Sequence, residues 1–205
     1  MCNEAYRYRE LEKILRDWSQ LRVPLRFPEG APNFAPLPGF RITDRVEIIR
    51  AAAEAAGAAE MVTRRWSWPA PNGKPVYNFR SDGRSIAAAS RCLIPVDGFF
   101  EFTDPPPSPA GEPVPKKKPP KSKWAFTLAG HDWFCIAGIW RTDPKVGEAW
   151  SMLTCPPGPD IAPYHDRQVV VLSLADCARW LDPEVPAAEL CRPLPTGSLM
   201  VQQVR

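Results

Sequence analysis

Proline is the sequence feature that most limits how this chain can fold. The chain has 26 prolines among 205 residues, more than twice the usual share of about 5%. Proline interrupts helix interiors and central strands. Much of the chain must therefore form turns, loops and strand edges.

Composition and charge limit the class of protein without identifying it. Apolar residues make up 44% of the chain and charged residues 24%, which is ordinary globular usage and excludes a wholly disordered or fibrous chain. The formal net charge of +3 neither requires nor excludes a nucleic-acid partner. No run approaches the roughly 18 apolar residues of a membrane span, and the polar, charged start does not resemble a secretory signal. We expect one cytoplasmic domain over residues 1–205, monomeric and without a membrane partner.

The six cysteines do not form a recognisable metal site. They are widely spaced and include no Cys-x-x-Cys pair, so a structural zinc site has little support. Without an export signal, disulfides are not expected. We expect most of these thiols to be reduced and buried, and we expect no bound metal.

The pattern of apolar residues predicts a mainly β chain with short peripheral helices. The clearest helix is predicted over residues 4–22, where apolar residues recur at helical spacing. Extended segments are predicted at 45–50, 61–68, 76–79, 91–103, 124–128, 133–141, 150–154 and 169–172, with a last strand from Leu199. Shorter helical pieces are predicted at 85–90, at 173–181 with Ser173 as N-cap, and near Ala187. The alanine-rich stretch 51–59 is predicted to be a loop or a short turn. The resulting class is α+β with a mostly antiparallel sheet.

A low-complexity insert separates two of the predicted strands. Residues 104–123 carry eight prolines between Pro105 and Pro120 and five lysines between Lys116 and Lys123. This composition indicates a solvated loop with polyproline II character. Its lysines are either solubilising or additional phosphate contacts, and we favour the solubilising interpretation.

Cys2 is the residue that suggests a chemical function. Removal of Met1 would leave a free α-amine and a thiol on adjacent carbons, a 1,2-aminothiol that no internal cysteine offers. Both groups supply some nucleophilic form near neutral pH. Such a terminus can attack an amide, with the amine as base, or condense with an aldehyde to an imine that the thiol closes to a thiazolidine. The alternative is that Met-Cys occurs here by chance.

Three further segments carry polar residues beside predicted strands. Asn78, Arg80 and Ser81 follow one strand, Glu101 lies within the apolar run GFFEF, and His165 precedes a buried strand. A partly desolvated Glu101 would have a raised pKa, which suits an acid–base role. A solvent-facing Glu101 and a structural His165 are the alternatives.

Together these segments resemble the SOS response-associated peptidase (SRAP) family. The resemblance covers most of the chain, and its order and spacing are specific although no single motif is decisive. It rests on Met-Cys at 1–2, Arg65-Trp66, YNFRSDGR at 77–84, RCLIPVDGFFEF at 91–102, FCIAGIWR at 134–141, MLTCPPGPDIAPYHDRQVVVL at 152–172 and RPLPTGSL at 192–199.

The resemblance implies a SRAP fold, a mainly antiparallel β-barrel-like core with peripheral helices. It also implies a DNA-damage (SOS) and DNA-repair function, in which the protein binds single-stranded DNA or a single-strand/duplex junction and crosslinks to an abasic site. The nucleophile would be Cys2, Asn78 would position it, Glu101 would hold the α-amine and transfer protons, and His165 would act on the sugar oxygen. Met1 removal, either autocatalytic or host-driven, and a lyase side activity would accompany this, with no cofactor. When bound to DNA the protein would be associated with the nucleoid.

The resemblance also implies a DNA-binding surface. Its expected residues are Arg80 for phosphate, Trp66 and Trp68 for base or sugar stacking, Arg65 and Arg84 as further phosphate contacts, and Ser81 beside Arg80. The family often has arginine shortly after the cysteine, whereas this chain has Glu4. Arg7 or Arg9 is the candidate substitute for that phosphate contact.

Two other classes of function remain open at this level. A cysteine peptidase acting on protein substrates would turn over peptides and form no adduct with abasic DNA. A binding module for damaged DNA would not need Cys2 for binding.

Overall fold

The computed structural model describes residues 2–105 and 119–205 of the chain. Within them the strands, in chain order, are β1 (Glu4–Arg7), β2 (Leu25–Arg26), β3 (Leu37–Arg41), β4 (Arg45–Ala51), β5 (Ala59–Trp66), β6 (Trp68–Pro69), β7 (Pro75–Val76), β8 (Asn78–Arg80), β9 (Arg91–Val96), β10 (Gly98–Thr103), β11 (Ser122–Leu128), β12 (Phe134–Asp143), β13 (Gly147–Cys155), β14 (Gln168–Val169), β15 (Val171–Leu172) and β16 (Leu199–Gln203). The helices are α1 (Leu11–Trp18), α2 (Leu174–Leu181) and α3 (Ala187–Leu190), with 3-10 turns at Ser19–Leu21 and Ala88–Ser90.

The strands form a closed five-stranded barrel with extra strands. The prediction of a mainly β fold with few helices is confirmed. One sheet has the order β16–β11–β10–β1–β3, and a larger sheet contains the path β14–β13–β12–β9–β4–β5–β2. Strands β9 and β10 are separated only by Asp97 and belong to different sheets. The extended segment predicted at 91–103 is therefore two strands, and the chain crosses from one sheet to the other at Asp97.

The helix predicted over 4–22 is wrong in its first part. Residues Glu4–Arg7 form β1, which is hydrogen-bonded between β3 and β10, and the helix begins only at Leu11. The buried Ala5 faces Phe99 across this pairing. Long-range strand pairing outweighs the local helical spacing, and it fixes the start of the chain in the middle of a sheet.

Most other predicted elements are found close to their predicted positions. The strand predicted at 61–68 ends at Trp66, because Ser67 has a positive φ of 80° and donates its N–H to the Trp150 carbonyl oxygen at 2.7 Å. The side chain of Ser173 accepts from the Asp176 N–H and caps α2, as predicted. Most of the Pro/Lys-rich insert lies outside the described residues.

The apolar interior has two parts. One fills the barrel and includes a stack of Trp66 on Trp150, with ring centroids 5.2 Å apart and planes 5° apart. The other lies beneath α1 and α2, where Trp18 and Trp180 are buried. No helix in the described ranges is long and apolar enough to cross a membrane.

Candidate active site at the amino-terminal strand

Cys2 is held at three atoms immediately before β1. Its Sγ donates to the carbonyl oxygen of Glu4 at 3.4 Å. Its own carbonyl oxygen accepts from Asn78 Nδ2 at 2.7 Å. Its backbone N–H faces the carboxylate of Glu101 and acts to lower the pKa of that carboxyl. The residue is 1% exposed, so its amide nitrogen, carbonyl and thiol have defined positions inside the protein.

Asn78 reaches Cys2 from a strand of the other sheet. It begins β8, which runs parallel to β13 with Asn78 opposite Met152. The preceding residue, Tyr77, accepts from Trp66 Nε1 at 2.9 Å and from the Met152 N–H at 3.1 Å, so the start of β8 is fixed by two bonds. The Oδ1 atom of Asn78 is buried without a hydrogen-bond partner among the described residues. A buried acceptor of this kind is suited to a donor from a ligand.

Glu101 lies on β10 with its side chain directed into the barrel. It is 2% exposed and pairs in register with Trp124 of β11. Burial raises the pKa of the Glu101 carboxyl from its ordinary value of 4.5 to about 7, while the backbone N–H groups of Cys2 and Phe102 act in the opposite direction. Of the two interpretations of Glu101, the structure therefore supports the desolvated one. A carboxyl with this pKa can both give and take a proton near neutrality.

Burial also raises the pKa of the Cys2 thiol, and this shift moves it away from neutral pH. Burial, followed by the negative charge of Glu101, raises the pKa of this thiol well above its ordinary value. The neutral thiol is therefore the dominant form at neutral pH. Nucleophilic attack by sulfur requires either proton removal by a neighbouring base or a strongly favourable intramolecular geometry.

His165 lies on a segment that packs over the same strands. The ring of its neighbour Tyr164 contacts Trp124 and Phe126 with centroids 4.7 and 5.4 Å apart. Burial lowers the pKa of His165, so the neutral imidazole predominates at pH 7. Its Nδ1 accepts from the Arg167 N–H at 3.0 Å. The carboxylate of the exposed Asp166 lies 2.7 Å from Nδ1 and accepts from it only when that nitrogen is protonated.

Arg167 is a site residue that the sequence analysis did not list. Its backbone N–H orients His165, and its guanidinium bonds the carboxylate of Asp82 and the carbonyl oxygen of Thr154. Asp82 belongs to the segment that follows Asn78. The signal in the sequence was the opposite charges of Asp82 and Arg167, each near a candidate residue, but nothing in the sequence showed that they meet.

The aromatic residues expected to stack on DNA lie inside the protein. Trp66 is fully buried, with Trp150 stacked on it and Phe40 and Tyr77 against its edges. Trp68 is 4% exposed, with Arg141 over its ring. The expectation of an exposed stacking surface at these residues is not met here, because Trp66 packs inside the barrel and Trp68 is covered by neighbours that include Arg141.

Ser81, which was expected to contact DNA, already has a hydrogen-bond partner inside the protein. It is buried, and its hydroxyl donates to the Thr154 carbonyl oxygen at 2.9 Å. Arg80 and Arg84 are exposed, and Arg84 lies over the Phe79 ring. Arg65 is partly buried and donates to the Thr43 carbonyl oxygen at 3.4 Å. Arg80 and Arg84 thus remain accessible to phosphate, whereas Ser81 does not.

Of the two suggested substitutes for an early phosphate contact, Arg7 is excluded by its position. It is 1% exposed, bonds Glu47 at 2.8 Å and lies over the Phe34 ring at 3.4 Å. Arg9 is largely exposed and contacts Asp132. No group of three or more His, Cys, Asp or Glu side chains within 2–105 and 119–205 could hold a metal ion.

The fold and the site define a mainly β protein whose second residue is a cysteine fixed within a barrel between an asparagine and a buried carboxyl. The family model for SOS response associated peptidase (SRAP) matches residues 1–205, and the chain belongs to this family. None of the curated proteins matches the chain.

Solved structures with low sequence identity share the fold. A protein from Bacteroides thetaiotaomicron superposes with a TM-score of 0.67 at 15% identity, covering 100% of this chain and 92% of the other. A phage-related protein from Bordetella bronchiseptica has a TM-score of 0.69 at 17% identity, with coverages of 100% and 94%. A second Bordetella bronchiseptica protein has a TM-score of 0.66 at 20% identity, with both chains covered fully.

Proposed function

We propose that this protein, once Met1 has been removed, forms a covalent thiazolidine crosslink between Cys2 and an abasic site in single-stranded DNA. Membership of the SRAP family supports a peptidase-like or DNA-processing role linked to the SOS response. The crosslink would shield the lesion from strand cleavage. Single-stranded DNA or a single-strand/duplex junction would be the partner, and no cofactor is required.

One observation carries the proposal: the Cys2 carbonyl is held by Asn78 at 2.7 Å, and the nitrogen that would become the α-amine faces the carboxyl of Glu101. Both contacts are to side chains from distant strands. A cysteine whose only role is packing needs neither a carboxyl at its nitrogen nor an amide at its carbonyl. These contacts would hold a new amino terminus in one orientation.

The chemistry follows from these positions. Hydrolysis of the Met1–Cys2 bond consumes one water and frees the amine. The amine nitrogen adds to C1′ of the ring-opened sugar, and loss of water gives an imine, with Glu101 transferring the protons. The thiol sulfur then adds to the imine carbon, its proton passes to nitrogen, and a five-membered ring closes. Nothing is oxidised or reduced.

The raised pKa of the Cys2 thiol is compatible with this order of events. Sulfur attack in the second step is intramolecular, so its effective concentration is very high. His165, whose ring is neutral at pH 7, is suited to exchange a proton with the sugar oxygen as the ring opens. If the imine persisted, proton abstraction at C2′ would lead to strand cleavage, which is the lyase side activity.

The alternative function, a cysteine peptidase acting on protein substrates, would require the Cys2 thiol to ionise more readily. Attack on an external amide requires a thiolate without the intramolecular advantage, whereas burial and Glu101 both disfavour the thiolate. The site therefore favours the aldehyde reaction over peptide turnover.

The test is a denaturing gel of purified protein with single-stranded DNA carrying one abasic site, alongside the intact mass of the protein. We expect a heat-stable shifted band from protein lacking Met1, and none from Cys2→Ala. Cys191→Ala is the matched control, because Cys191 is a half-buried thiol on the helical side and its loss should leave the band unchanged.

Absence of a covalent band from a correctly processed Cys2 terminus would overturn the crosslinking proposal. In that case cleavage of peptides by the same preparation, abolished in Cys2→Ala, would establish the peptidase. Binding of abasic DNA that is equal in wild type and Cys2→Ala, with no adduct, would instead indicate a non-covalent binding module.

A further inference from the structure

Strand β16 lies at one end of the five-stranded sheet and pairs only with β11 among the described residues. The other ends of the two large sheets are protected in the ways that natural sheet edges commonly are. Strand β3 contains Pro38 and ends in Arg41, and β2 and β14 have two residues each. Strand β16 has five residues, LMVQQ, with neither a proline nor a charge. In the described part of the fold it is therefore the sheet end that is open to another strand.

The backbone hydrogen bonds show which groups of β16 are free to pair. The Val204 N–H donates to the Lys123 carbonyl oxygen at 2.8 Å, and the Ser198 carbonyl oxygen accepts from the residue that follows β11 at 2.9 Å. Because the direction of these groups alternates along a strand, the N–H and C=O groups of Val201 and Gln203 point away from β11. We call these backbone groups of Val201 and Gln203 the β16 edge.

Asp160 closes the beginning of the same side of the strand. Its carboxylate accepts from the N–H groups of Gly197 and Leu199, both at 2.9 Å. The bond to Leu199 confirms that the odd-numbered positions face away from β11. Since these two N–H groups are occupied, the open length of the edge begins at Val201.

A second copy of the chain, running antiparallel, fits this edge in the register that pairs its two residues with each other. Val201 of each copy then lies opposite Gln203 of the other, and each such pair exchanges both of its hydrogen bonds. The two-fold axis passes beside Gln202. A two-fold contact uses the same surface on both copies and is the commonest arrangement in homo-oligomers.

The same register matches the exposed apolar side chains. Met200 is 56% exposed and Val204 is 48% exposed. Their positions alternate with Val201 and Gln203, so both side chains project from the same face of the sheet. In the antiparallel pair each Met200 lies opposite Val204 of the second copy, on either side of the two Gln202 side chains. Side chains at directly opposite positions are close enough to pack, so each copy covers the exposed apolar groups of the other.

The charges at the ends of the paired segment are complementary. Leu199, whose N–H is held by Asp160, lies opposite Arg205 of the second copy. Arg205 is exposed, so its guanidinium can approach the Asp160 carboxylate across the contact. Residues 199–204 carry no charge, and therefore no like charges face each other. This complementarity favours a second copy of the chain over an unrelated extended peptide.

We propose that two copies of this chain associate by antiparallel pairing of their β16 strands. A strand pair of this length is smaller than a standard protein interface, so the dimer is weak and transient. The inference does not rest on the crosslink to abasic DNA, because it uses none of the residues placed at the candidate active site. The monomer expected from the sequence is the opposing outcome of the test.

The test is sedimentation velocity of the full chain at concentrations from about 5 to about 500 μM, a range suited to a weak interface. We expect the average mass to rise from that of a monomer towards that of a dimer. Gln203→Pro removes an N–H that β11 does not use, and should weaken association by at least about 10-fold. Gln203→Ala keeps this N–H and is the matched control, with association like that of wild type. Circular dichroism and thermal melting check that both variants fold.

Side-chain substitutions provide a test that leaves the backbone unchanged. Met200→Lys should weaken association by at least about 10-fold, because the change acts twice in a symmetric dimer. Tyr8→Lys alters a large hydrophobic residue of similar exposure, 52%, and should leave association unchanged. Arg205→Glu should weaken association, and adding Asp160→Asn should recover part of that loss.

A cysteine at the two-fold axis tests the register directly. On a non-reducing gel after air oxidation with a copper catalyst, Gln202→Cys should give a disulfide-linked dimer, because the two Cβ atoms lie opposite each other. Met200→Cys, also exposed but opposite Val204, should remain monomeric. A monomer mass at every concentration would overturn the proposal. A dimer that persists unchanged in Gln203→Pro and Met200→Lys would also overturn it, because its interface would lie elsewhere.

Discussion

Asn78 Nδ2 donates a 2.7 Å hydrogen bond to the carbonyl oxygen of Cys2, across 76 residues of sequence. The bond joins the start of the chain, in one sheet, to β8 at the edge of the other. Since a carbonyl can only accept, the amide nitrogen of Asn78 must face Cys2, and its orphaned Oδ1 must face elsewhere. The asparagine thus fixes the cysteine with one atom and leaves a buried acceptor with the other.

Two substitutions of Asn78 test whether its hydrogen bond to Cys2, and not only its size, positions the cysteine. In Asn78→Asp the side chain keeps its size but cannot donate to Cys2 when ionised, and in Asn78→Ala the bond is lost. We expect unfolding free energies lower by about 1–3 kcal/mol and crosslinking rates lower by about 100-fold. Denaturant unfolding and timed denaturing gels measure the two effects. Crosslinking of both variants at the wild-type rate would contradict the role assigned to Asn78.

Glu101 should make stability depend on pH. Its pKa in the folded protein is about 7 against an ordinary value of 4.5, so the folded state holds a proton that the unfolded state releases first. The unfolding free energy should therefore fall as the pH rises from about 4.5 to about 7, by about 3 kcal/mol. Glu101→Gln should lack this decrease. Urea unfolding of both proteins at pH 5 and pH 8 tests it, and parallel pH dependences would refute the raised pKa.

The same carboxyl should control the rate of crosslinking. Proton transfer by a group with a pKa of about 7 gives the wild-type rate a break near pH 7. Glu101→Gln should be slower and should show no break there. A break that persists unchanged in Glu101→Gln would assign it to another group. Rates are to be measured from band formation between pH 5.5 and 8.5 at a saturating concentration of abasic DNA.

Trp66 should contribute to stability and not directly to DNA contact. Its ring is fully buried against Trp150, so Trp66→Ala should lower the unfolding free energy by about 3–5 kcal/mol. Trp66→Phe should cost less and, when folded, should bind undamaged strands with wild-type affinity. A folded Trp66→Phe protein with a large loss of affinity would show that the ring reaches DNA after all.

Removing only one partner of the Arg7–Glu47 ion pair should destabilise the protein. Both side chains are buried and bonded at 2.8 Å. Arg7→Met leaves the Glu47 carboxylate without its counter-charge and should cost about 3–5 kcal/mol of unfolding free energy. The double variant with Glu47→Gln should recover most of that loss in thermal or urea unfolding. Additive losses in the double variant would show that the two residues act independently.

Local sequence signals predicted the elements whose contacts are local. Ser173 caps α2 as expected, because a serine side chain needs only the backbone N–H groups of the next turn. The strands from β9 to β13 lie near their predicted positions, since their apolar alternation reflects burial on a sheet face. The first turn of the predicted helix at 4–22 is a strand instead, because β3 and β10 supply partners from far along the chain.

The same distinction between local and long-range contacts applies to the candidate site. Sequence order and spacing indicated the SRAP family and singled out Cys2, Asn78, Glu101 and His165, and the family assignment holds for the whole chain. Barrel closure, not spacing, brings Asn78 and Glu101 to Cys2. It also buries Trp66 and Ser81, which the sequence placed on the surface. Whether an aromatic or hydroxyl side chain faces solvent depends on which strands pair.

By itself the sequence determined the residue types that can do chemistry at the amino terminus: a cysteine at position 2, with an amide and a carboxyl in later strands. Only the tertiary structure decided their state. It removed Glu101 from water, which raises its pKa, and it directed Asn78 to the Cys2 carbonyl. It also stacked Trp66 on Trp150 inside the barrel. The physical reason is that desolvation and side-chain contact depend on neighbours in space, which strand pairing selects from distant parts of the chain.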